Sequence, residues 1–114
     1  MEEYKPVLSE GFIREFKDKV NWCNISKFQT LSEDFIREFK DKVDWDWVSG
    51  SKQKLSEGFI EEFKNNVDWY CISRHQVLSE NFIRKFKDDV NWGEISEYQT
   101  LSDKFKEEFK NRLE

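Results

Sequence analysis

A recurring segment of about 23 residues constrains the fold of this chain more than any other feature. The copy at residues 31–45, LSEDFIREFKDKVDW, returns with small changes along the sequence. Five equivalent leucines are separated by 23, 24, 23 and 23 residues, at Leu8, Leu31, Leu55, Leu78 and Leu101. A fixed period of this size is typical of repeat arrays, in which each unit packs on its neighbours.

The predicted fold is all-α: one domain, residues 1–114, built from four and a half helix pairs. The predicted units are 8–30, 31–54, 55–77 and 78–100, followed by a C-terminal half unit at 101–114. Neither helix of a pair is long enough to be stable alone, because isolated helices shorter than about 12–15 residues are marginal in water. Stacking of neighbouring units must therefore hold the array together.

The first helix of each unit is predicted to begin after a serine. In the first unit, the Ser9 hydroxyl can accept a hydrogen bond from a free amide of the first turn. The acidic residue after it suits the positive end of the helix dipole. Apolar side chains follow at i, i+1, i+4 and i+8, which is one face of an α-helix, at Phe12, Ile13, Phe16 and Val20. We expect this face to be core and the opposite face to be solvated.

The solvated face of this helix carries charges of both signs. Glu10 with Arg14, and Glu15 with Lys19, have the i,i+4 spacing and the acid-first order that favour weak pairs within one helix. The sequence therefore predicts ion pairs inside each long helix.

A second, shorter helix is predicted to follow with almost no loop. A good N-cap residue, either Asn or Asp, directly precedes a tryptophan in each of the four full units. In the first unit Trp22, Ile25 and Gln29 share one face of about two turns. A glutamine and a serine kept in every short helix predict hydrogen bonds to backbone at a helix end or in a neighbouring unit. We expect the glutamines to form a ladder between units.

Two units depart from the pattern. The second unit has one extra residue around Gly50, and a glycine weakens a helix by about 1 kcal/mol, so a bulge or loosened turn is predicted at residues 49–53. In the half unit, Lys106 replaces the isoleucine of the other copies. The Ile position is therefore predicted to pack on the following unit, and Lys106 to form a polar cap.

The composition of the chain disfavours binding to nucleic acid and insertion into a membrane, and it indicates a compartment. The net charge is −5, which disfavours nonspecific binding to nucleic acid because that needs a basic face. No apolar run approaches the roughly 20 residues of a membrane span. Cys23 and Cys71 occupy different positions in their repeats, so both are predicted to be free thiols in a reducing compartment, which indicates a cytoplasmic protein.

No catalytic site or cofactor is predicted. The carboxylates recur in every unit, as on a solvated face, whereas a catalytic site breaks the symmetry at one place. No phosphate-binding loop, nucleophile elbow or metalloprotease motif is present. His75 and Cys71 lie four residues apart and could supply half of a metal site, but zinc needs further ligands and nothing nearby completes the set.

The positions that vary between units are the best candidates for a binding face. They follow the tryptophans and the second serines, and the framework does not determine their identity; in solenoids such positions often line the binding surface. An unrepeated aromatic is the kind of anchor that interfaces favour. The predicted binding residues are Asn24, Asp46, Trp47, Tyr70, Arg74 and Glu94. Drift on an exposed surface is an equally good explanation of the variation.

The consensus LSExFIxxFxxxV[DN]WxxISxxQ, which covers residues 8–113, resembles short tandem-repeat proteins of large DNA viruses, phages and mobile elements. That family has no assigned activity. Small acidic proteins from such sources are often inhibitors of host factors, including defence systems such as CRISPR. The resemblance thus implies a protein-binding inhibitor in the host cytoplasm.

Two other functions stay open at this point. The Lys/Arg side of the long helices could bind nucleic acid, through Arg14, Lys17, Arg37, Lys40 and Lys87. The chain could also be a structural or designed scaffold without a partner. The oligomeric state is not determined by the pattern.

Overall fold

In the computed structural model, which describes residues 6–50 and 53–113, all regular secondary structure is α-helical. The described residues form a thin slab of 50 × 36 × 15 Å. The first helices of the five units are α1 (Glu10–Glu15), α3 (Glu33–Glu38), α5 (Glu57–Glu62), α7 (Glu80–Lys85) and α9 (Asp103–Glu108). The second helices are α2 (Trp22–Phe28), α4 (Trp45–Val48), α6 (Trp69–His75), α8 (Trp92–Tyr98) and α10 (Lys110–Leu113). The predicted all-α repeat array is thereby confirmed.

The predicted N-caps are confirmed in every unit. The Ser9 hydroxyl accepts from the Phe12 amide at 3.0 Å, and the equivalent serines cap α3, α5, α7 and α9 in the same way. Asn21 caps α2 by accepting from the Asn24 amide, and Asp or Asn caps α4, α6 and α8. Each cap satisfies an amide that the first turn of a helix leaves without a partner.

The first helices end earlier than predicted. The apolar spacing through Val20 predicted one continuous helix, but α1 ends at Glu15. The chain then forms a turn, in which the Val20 amide donates to the Phe16 carbonyl at 3.1 Å. The turn leaves the Lys17 carbonyl free to accept the Trp22 indole N–H at 2.9 Å. In the half unit the predicted single helix is interrupted at Phe109, between α9 and α10.

The glutamines form the predicted ladder between units. The Gln53 carboxamide accepts from the Leu31 amide at 3.0 Å and donates to the Gln29 carbonyl at 2.6 Å. The other three glutamines make the same two bonds one unit earlier or later. The serines also bridge units: the Ser26 hydroxyl, for example, accepts from the Asp44 amide at 2.9 Å. These side chains satisfy backbone groups that the irregular junctions would otherwise bury without partners.

Each repeated tryptophan of the core contacts phenylalanines of the following unit. The Trp22 ring centroid lies 6.2 Å from that of Phe35 and 5.0 Å from that of Phe39, both in the second unit. The same arrangement recurs at the three later junctions. Each tryptophan therefore covers the phenylalanine pair of the following unit.

The first unit is an exception that sequence reasoning missed. Phe12 and Phe16 were predicted to be core, but they are 44% and 38% exposed. Their rings contact each other at 4.8 Å, and no tryptophan of the described residues lies against them. By contrast, Ile13 is fully buried and Lys106 is exposed, as predicted for a side chain that faces the following unit.

Most ion pairs of the charged face join neighbouring units. Arg14 forms a bidentate pair with Glu38 of the next unit, and Arg37 pairs with Glu62. Among the described residues, no ion pair joins Glu10 to Arg14 or Glu15 to Lys19, so these two predicted pairs are wrong. A pair within one helix does occur in α3, where Arg37 also contacts Asp34 at 2.7 Å. Glu10 instead accepts from the Ser32 amide at 2.7 Å and from its hydroxyl at 3.0 Å.

The second unit is distorted where the extra residue was predicted to matter. Its short helix, α4, has four residues, whereas α2, α6 and α8 have seven. It ends at Val48 with Ser49 as its C-cap, and a Cβ at Gly50 would lie 3.3 Å from the Trp47 carbonyl oxygen. The rest of the predicted bulge includes residues 51 and 52, which lie outside the described ranges.

Candidate protein-binding face

The four short helices α2, α4, α6 and α8 carry all six predicted binding residues. Helix α2 packs on α4, and α6 packs on α8. We call the surface formed by these six side chains the short-helix face. Trp47 is 41% exposed and Tyr70 is 46% exposed. Asn24, Asp46 and Arg74 are also exposed, while Glu94 is half-buried.

A cleft opens between α4 and α6, where the repeat is distorted. It has a volume of about 260 Å³ and is lined by Asp46, Trp47, Gly50, Cys71 and His75. The short α4 leaves out the last turn that α2, α6 and α8 possess. One local irregularity in the sequence therefore coincides with a concave site on the short-helix face.

Trp47 forms one wall of this cleft, and it is held by a neighbour from the first unit. The Lys27 ammonium lies 4.8 Å from the Trp47 ring centroid and 5.0 Å from that of Phe28. A cation over an indole face contributes about 0.5–1 kcal/mol at exposed sites. The contact restricts the indole while a large part of it stays open to solvent.

Carboxylates, which are opposite in charge to the Lys27 ammonium, also lie beside Trp47: they are Asp46 and the acids near it. Partial burial raises the pKa of Asp46, and hydrogen bonding and repulsion from Asp68, together with repulsion from Asp44, add to this effect. No salt bridge within the described residues neutralises any of these three carboxylates. The cleft therefore combines an aromatic wall with unbalanced negative charge, an environment that attracts a cationic group.

A second group of predicted residues meets on α6 and α8. The Arg74 guanidinium donates to the Tyr70 hydroxyl at 3.3 Å, and its Cζ lies 4.8 Å from the Tyr98 ring centroid. Glu94 lies near enough to interact with the charge of Arg74. Its Oε2 is buried and has no hydrogen-bond partner among the described residues. Arg74 is thus held in place by contacts with two aromatic side chains of the same chain.

The six predicted residues do not form one cluster. Asp46 and Trp47 meet at the α4–α6 cleft, and Tyr70, Arg74 and Glu94 belong to the α6–α8 group. Asn24 lines a different, smaller cleft of about 160 Å³ near Pro6 and Phe28. The centre of the short-helix face is therefore α4 and α6.

Four residues that contact the short-helix face or line its cleft were not among the predicted binding residues: Lys27, Cys71, His75 and Tyr98. Lys27 and Cys71 vary between units, and that variation is the signal that could have found them. His75 and Tyr98 share the position of Phe28, and the repeat pattern alone does not distinguish a packed aromatic from a half-exposed one there. Their exposure became visible only in the structure.

The described residues contain no group of three or more His, Cys, Asp or Glu side chains arranged to hold a metal ion. Cys23 and Cys71 are free thiols, as predicted. Burial raises the pKa of Cys71, and the nearby Asp68 and Asp46 carboxylates raise it further. The thiolate is the nucleophilic form, so this environment disfavours a reactive cysteine.

The fold defines the class: this is a helical repeat protein whose short helices depart from the repeat pattern at α4. No protein-family model, no curated protein and no solved structure matches the chain. None of the helices in the described residues is long and apolar enough to cross a membrane.

Proposed function

We propose that this chain is a non-enzymatic protein-binding module that captures its partner with the short-helix face. The observation that carries the proposal is the exposure of Trp47 and Tyr70. The repeated tryptophans are partly buried against phenylalanines of the following unit, whereas these two unrepeated aromatics project from α4 and α6. Exposed Trp and Tyr beside a pocket are the usual anchors of protein interfaces.

The chemistry of the α4–α6 cleft supports a partner with a basic side chain at the contact. An arginine or lysine of the partner can stack on Trp47 while Asp46 and Asp68 supply the opposite charge. The net charge of −5 draws a basic surface towards the chain over a longer range.

We propose that this binding inhibits a host or defence protein, which is the role that the resemblance implies. Occupying a basic functional surface of the target is a physically simple way for an acidic repeat protein to block it. This part of the proposal depends on the resemblance, since the geometry of the face describes binding and not its consequence.

Nucleic-acid binding through the long helices has weaker support. Arg14 and Arg37 are both engaged with glutamates of the following unit, so a phosphate would have to compete with a bidentate carboxylate. Their partner glutamates also place negative charge on the same surface.

A capture experiment with matched variants tests the proposal. The chain is used as bait in an extract of the organism that encodes it, and Trp47→Ala with Tyr70→Ala is compared with the unchanged bait. We expect the double variant to lose the captured partner by at least about tenfold. Its circular dichroism and melting temperature stay close to those of the unchanged chain, because both side chains are exposed.

Val77→Ala is the control, since Val77 is an apolar side chain that is 92% exposed and lies outside the short-helix face. It should keep the partner. Equal capture by the double variant, or salt-sensitive retention of nucleic acid instead of protein, contradicts the proposal.

A further inference from the structure

The N-terminal end of the array exposes an aromatic surface that is buried everywhere else. The four residues equivalent to Phe12 are at most 6% exposed, compared with 44% for Phe12 itself. Phe16 is 38% exposed, whereas the next three equivalents are at most 8% exposed. The same two residue types on the same helix face therefore exist in two environments. The difference is that, among the described residues, no preceding unit lies against Phe12 and Phe16.

The internal junctions show what covers this surface. A tryptophan of the preceding unit contacts both phenylalanines, and an arginine of that unit lies over the first ring, as Arg14 does over Phe35 at 5.5 Å. The arginine also pairs with the acid three residues after that ring, as Arg14 does with Glu38. The arginine contacts recur at Arg37 and Arg84.

A third contact comes from the acid that follows each capping serine. It accepts from the backbone amide and the hydroxyl of the next unit's serine, at 2.6–2.7 Å and 3.0 Å respectively. Three of the four units that cover another therefore present one tryptophan, one arginine and one carboxylate at fixed spacing. In the third unit Glu61 replaces the arginine and pairs with Lys85.

The first unit retains the complementary half of every one of these contacts. Phe12 and Phe16 present the rings, and Glu15 occupies the position at which Glu38 accepts from Arg14. The Ser9 amide occupies the position at which the Ser32 amide donates to Glu10. Among the described residues, neither Glu15 nor the Ser9 amide has a partner. The Pro6 carbonyl already accepts from Gln29, as the Gln29 carbonyl does from Gln53, so the backbone register of a preceding unit is in place.

A second copy of this chain does not supply the covering half. At its C-terminal end, Lys106 replaces the buried isoleucine, and Glu107 occupies the position of Arg14. Stacked end to end, Glu107 would face Glu15, and like charges at such a junction are unfavourable. The four repeated tryptophans are already packed on phenylalanines of their own chain.

We propose that the N-terminal face, formed by Ser9, Phe12, Glu15 and Phe16, docks a repeat unit of the same pattern carried by a different polypeptide. The partner segment carries an acid after its capping serine, an arginine four residues later and a tryptophan at the start of its short helix. This surface is separate from the short-helix face, so two partners can bind at once.

The first experiment places such a unit in the covering position. A copy of residues 78–98 is joined directly to Pro6, because it carries all three covering groups, Glu80, Arg84 and Trp92. We expect the melting temperature to rise by at least about 5 °C and the amides of α1 to gain protection from hydrogen exchange. The matched control has alanine in place of the tryptophan in the added copy. No rise over that control overturns the proposal.

The second experiment tests the separate polypeptide. A synthetic peptide of residues 78–98 is titrated into the chain at concentrations up to millimolar and followed by NMR. We expect shifts at Phe12 and Phe16, and affinity weaker by at least about tenfold in Phe12→Ala with Phe16→Ala. Glu15→Arg should also weaken binding, and a peptide with Arg84→Glu should restore it.

The remaining outcomes all contradict the proposal. If the added unit stacks in the fusion but the peptide does not bind, the face takes no separate partner. If the chain alone sediments as a dimer that Phe12→Ala with Phe16→Ala dissociates, the occupant is a second copy.

Discussion

The two ends of the array carry the same residue in opposite environments. Phe12 in the first unit is 44% exposed, whereas Phe105 in the last unit is completely buried. Both belong to terminal units, so position at an end does not explain the difference. The direction of packing does, because each unit covers the phenylalanines of the unit after it, and only the first pair has no cover among the described residues.

This comparison predicts its largest effect for alanine at the two kinds of phenylalanine. Phe59→Ala or Phe105→Ala leaves a cavity in a packed junction and should lower the free energy of unfolding by about 3–5 kcal/mol. Phe12→Ala should lower it by at most about 1 kcal/mol. Urea denaturation of the three variants measures both values. Similar losses at Phe12 and Phe59 would mean that the first unit is covered after all.

Removing a glutamine of the ladder should also destabilise an internal junction more than the first one, but by less than removing a phenylalanine. Gln76→Ala leaves the Leu55 amide and the Gln53 carbonyl buried without their partner, which costs about 1–3 kcal/mol. Gln29→Ala removes the equivalent bonds to Leu8 and Pro6, where water can replace them, so its cost should be lower. Thermal melts of both variants check this order. An unchanged melting temperature for Gln76→Ala rules out the ladder as a source of stability.

An exposed ion pair at one junction allows a further test of how neighbouring units stabilise each other. Between the third and fourth units the usual pair is reversed, with Lys85 Nζ 2.8 Å from Glu61. Lys85→Glu places two acids together and should cost about 0.5–1 kcal/mol. Adding Glu61→Arg recreates the pattern of the other junctions and should restore the stability, as a double-mutant cycle in low salt would measure. Additive losses would show that the two side chains do not interact.

The smallest effect is expected at the α4–α6 cleft. The pKa of Asp46 is raised in the folded state, so folding favours its protonated form, and stability falls as the pH rises from the ordinary aspartate value to the raised one. Asp46→Asn removes this loss. The variant should therefore match the unchanged chain below this window and melt at a higher temperature at pH 7. The opposite order at pH 7 contradicts the raised pKa.

Much of the array could be predicted from the sequence because the same residue types recur at the same positions of each unit. Capping serines, tryptophan-led short helices and the glutamine ladder all follow from residues that recur at fixed spacing. Lys106 is exposed, whereas the isoleucines at the same position of the four full units are completely buried, as expected if this position faces the following unit.

The direction in which the phenylalanines face could not be predicted from periodicity. Spacing identifies the apolar side of a helix but not which neighbour covers each residue, so Phe12 was assigned to the core. The bond from Glu10 to Ser32 was missed for a related reason: a helix-dipole interaction explained the acid locally, and its partner lies 22 residues away. The α4–α6 cleft depends on how one extra residue shortens a helix, which the repeat pattern does not specify.

The central claim is that each tryptophan stabilises the phenylalanines of the following unit, and one double-mutant cycle tests it directly. The rings of Trp45 and Phe63 lie 5.1 Å apart across a junction. Trp45→Ala and Phe63→Ala should show a coupling of about 0.5–1.5 kcal/mol. Trp45→Ala and Phe16→Ala, whose rings make no contact, should be additive within about 0.5 kcal/mol. Additivity in the first pair, or equal coupling in both, would contradict the claim.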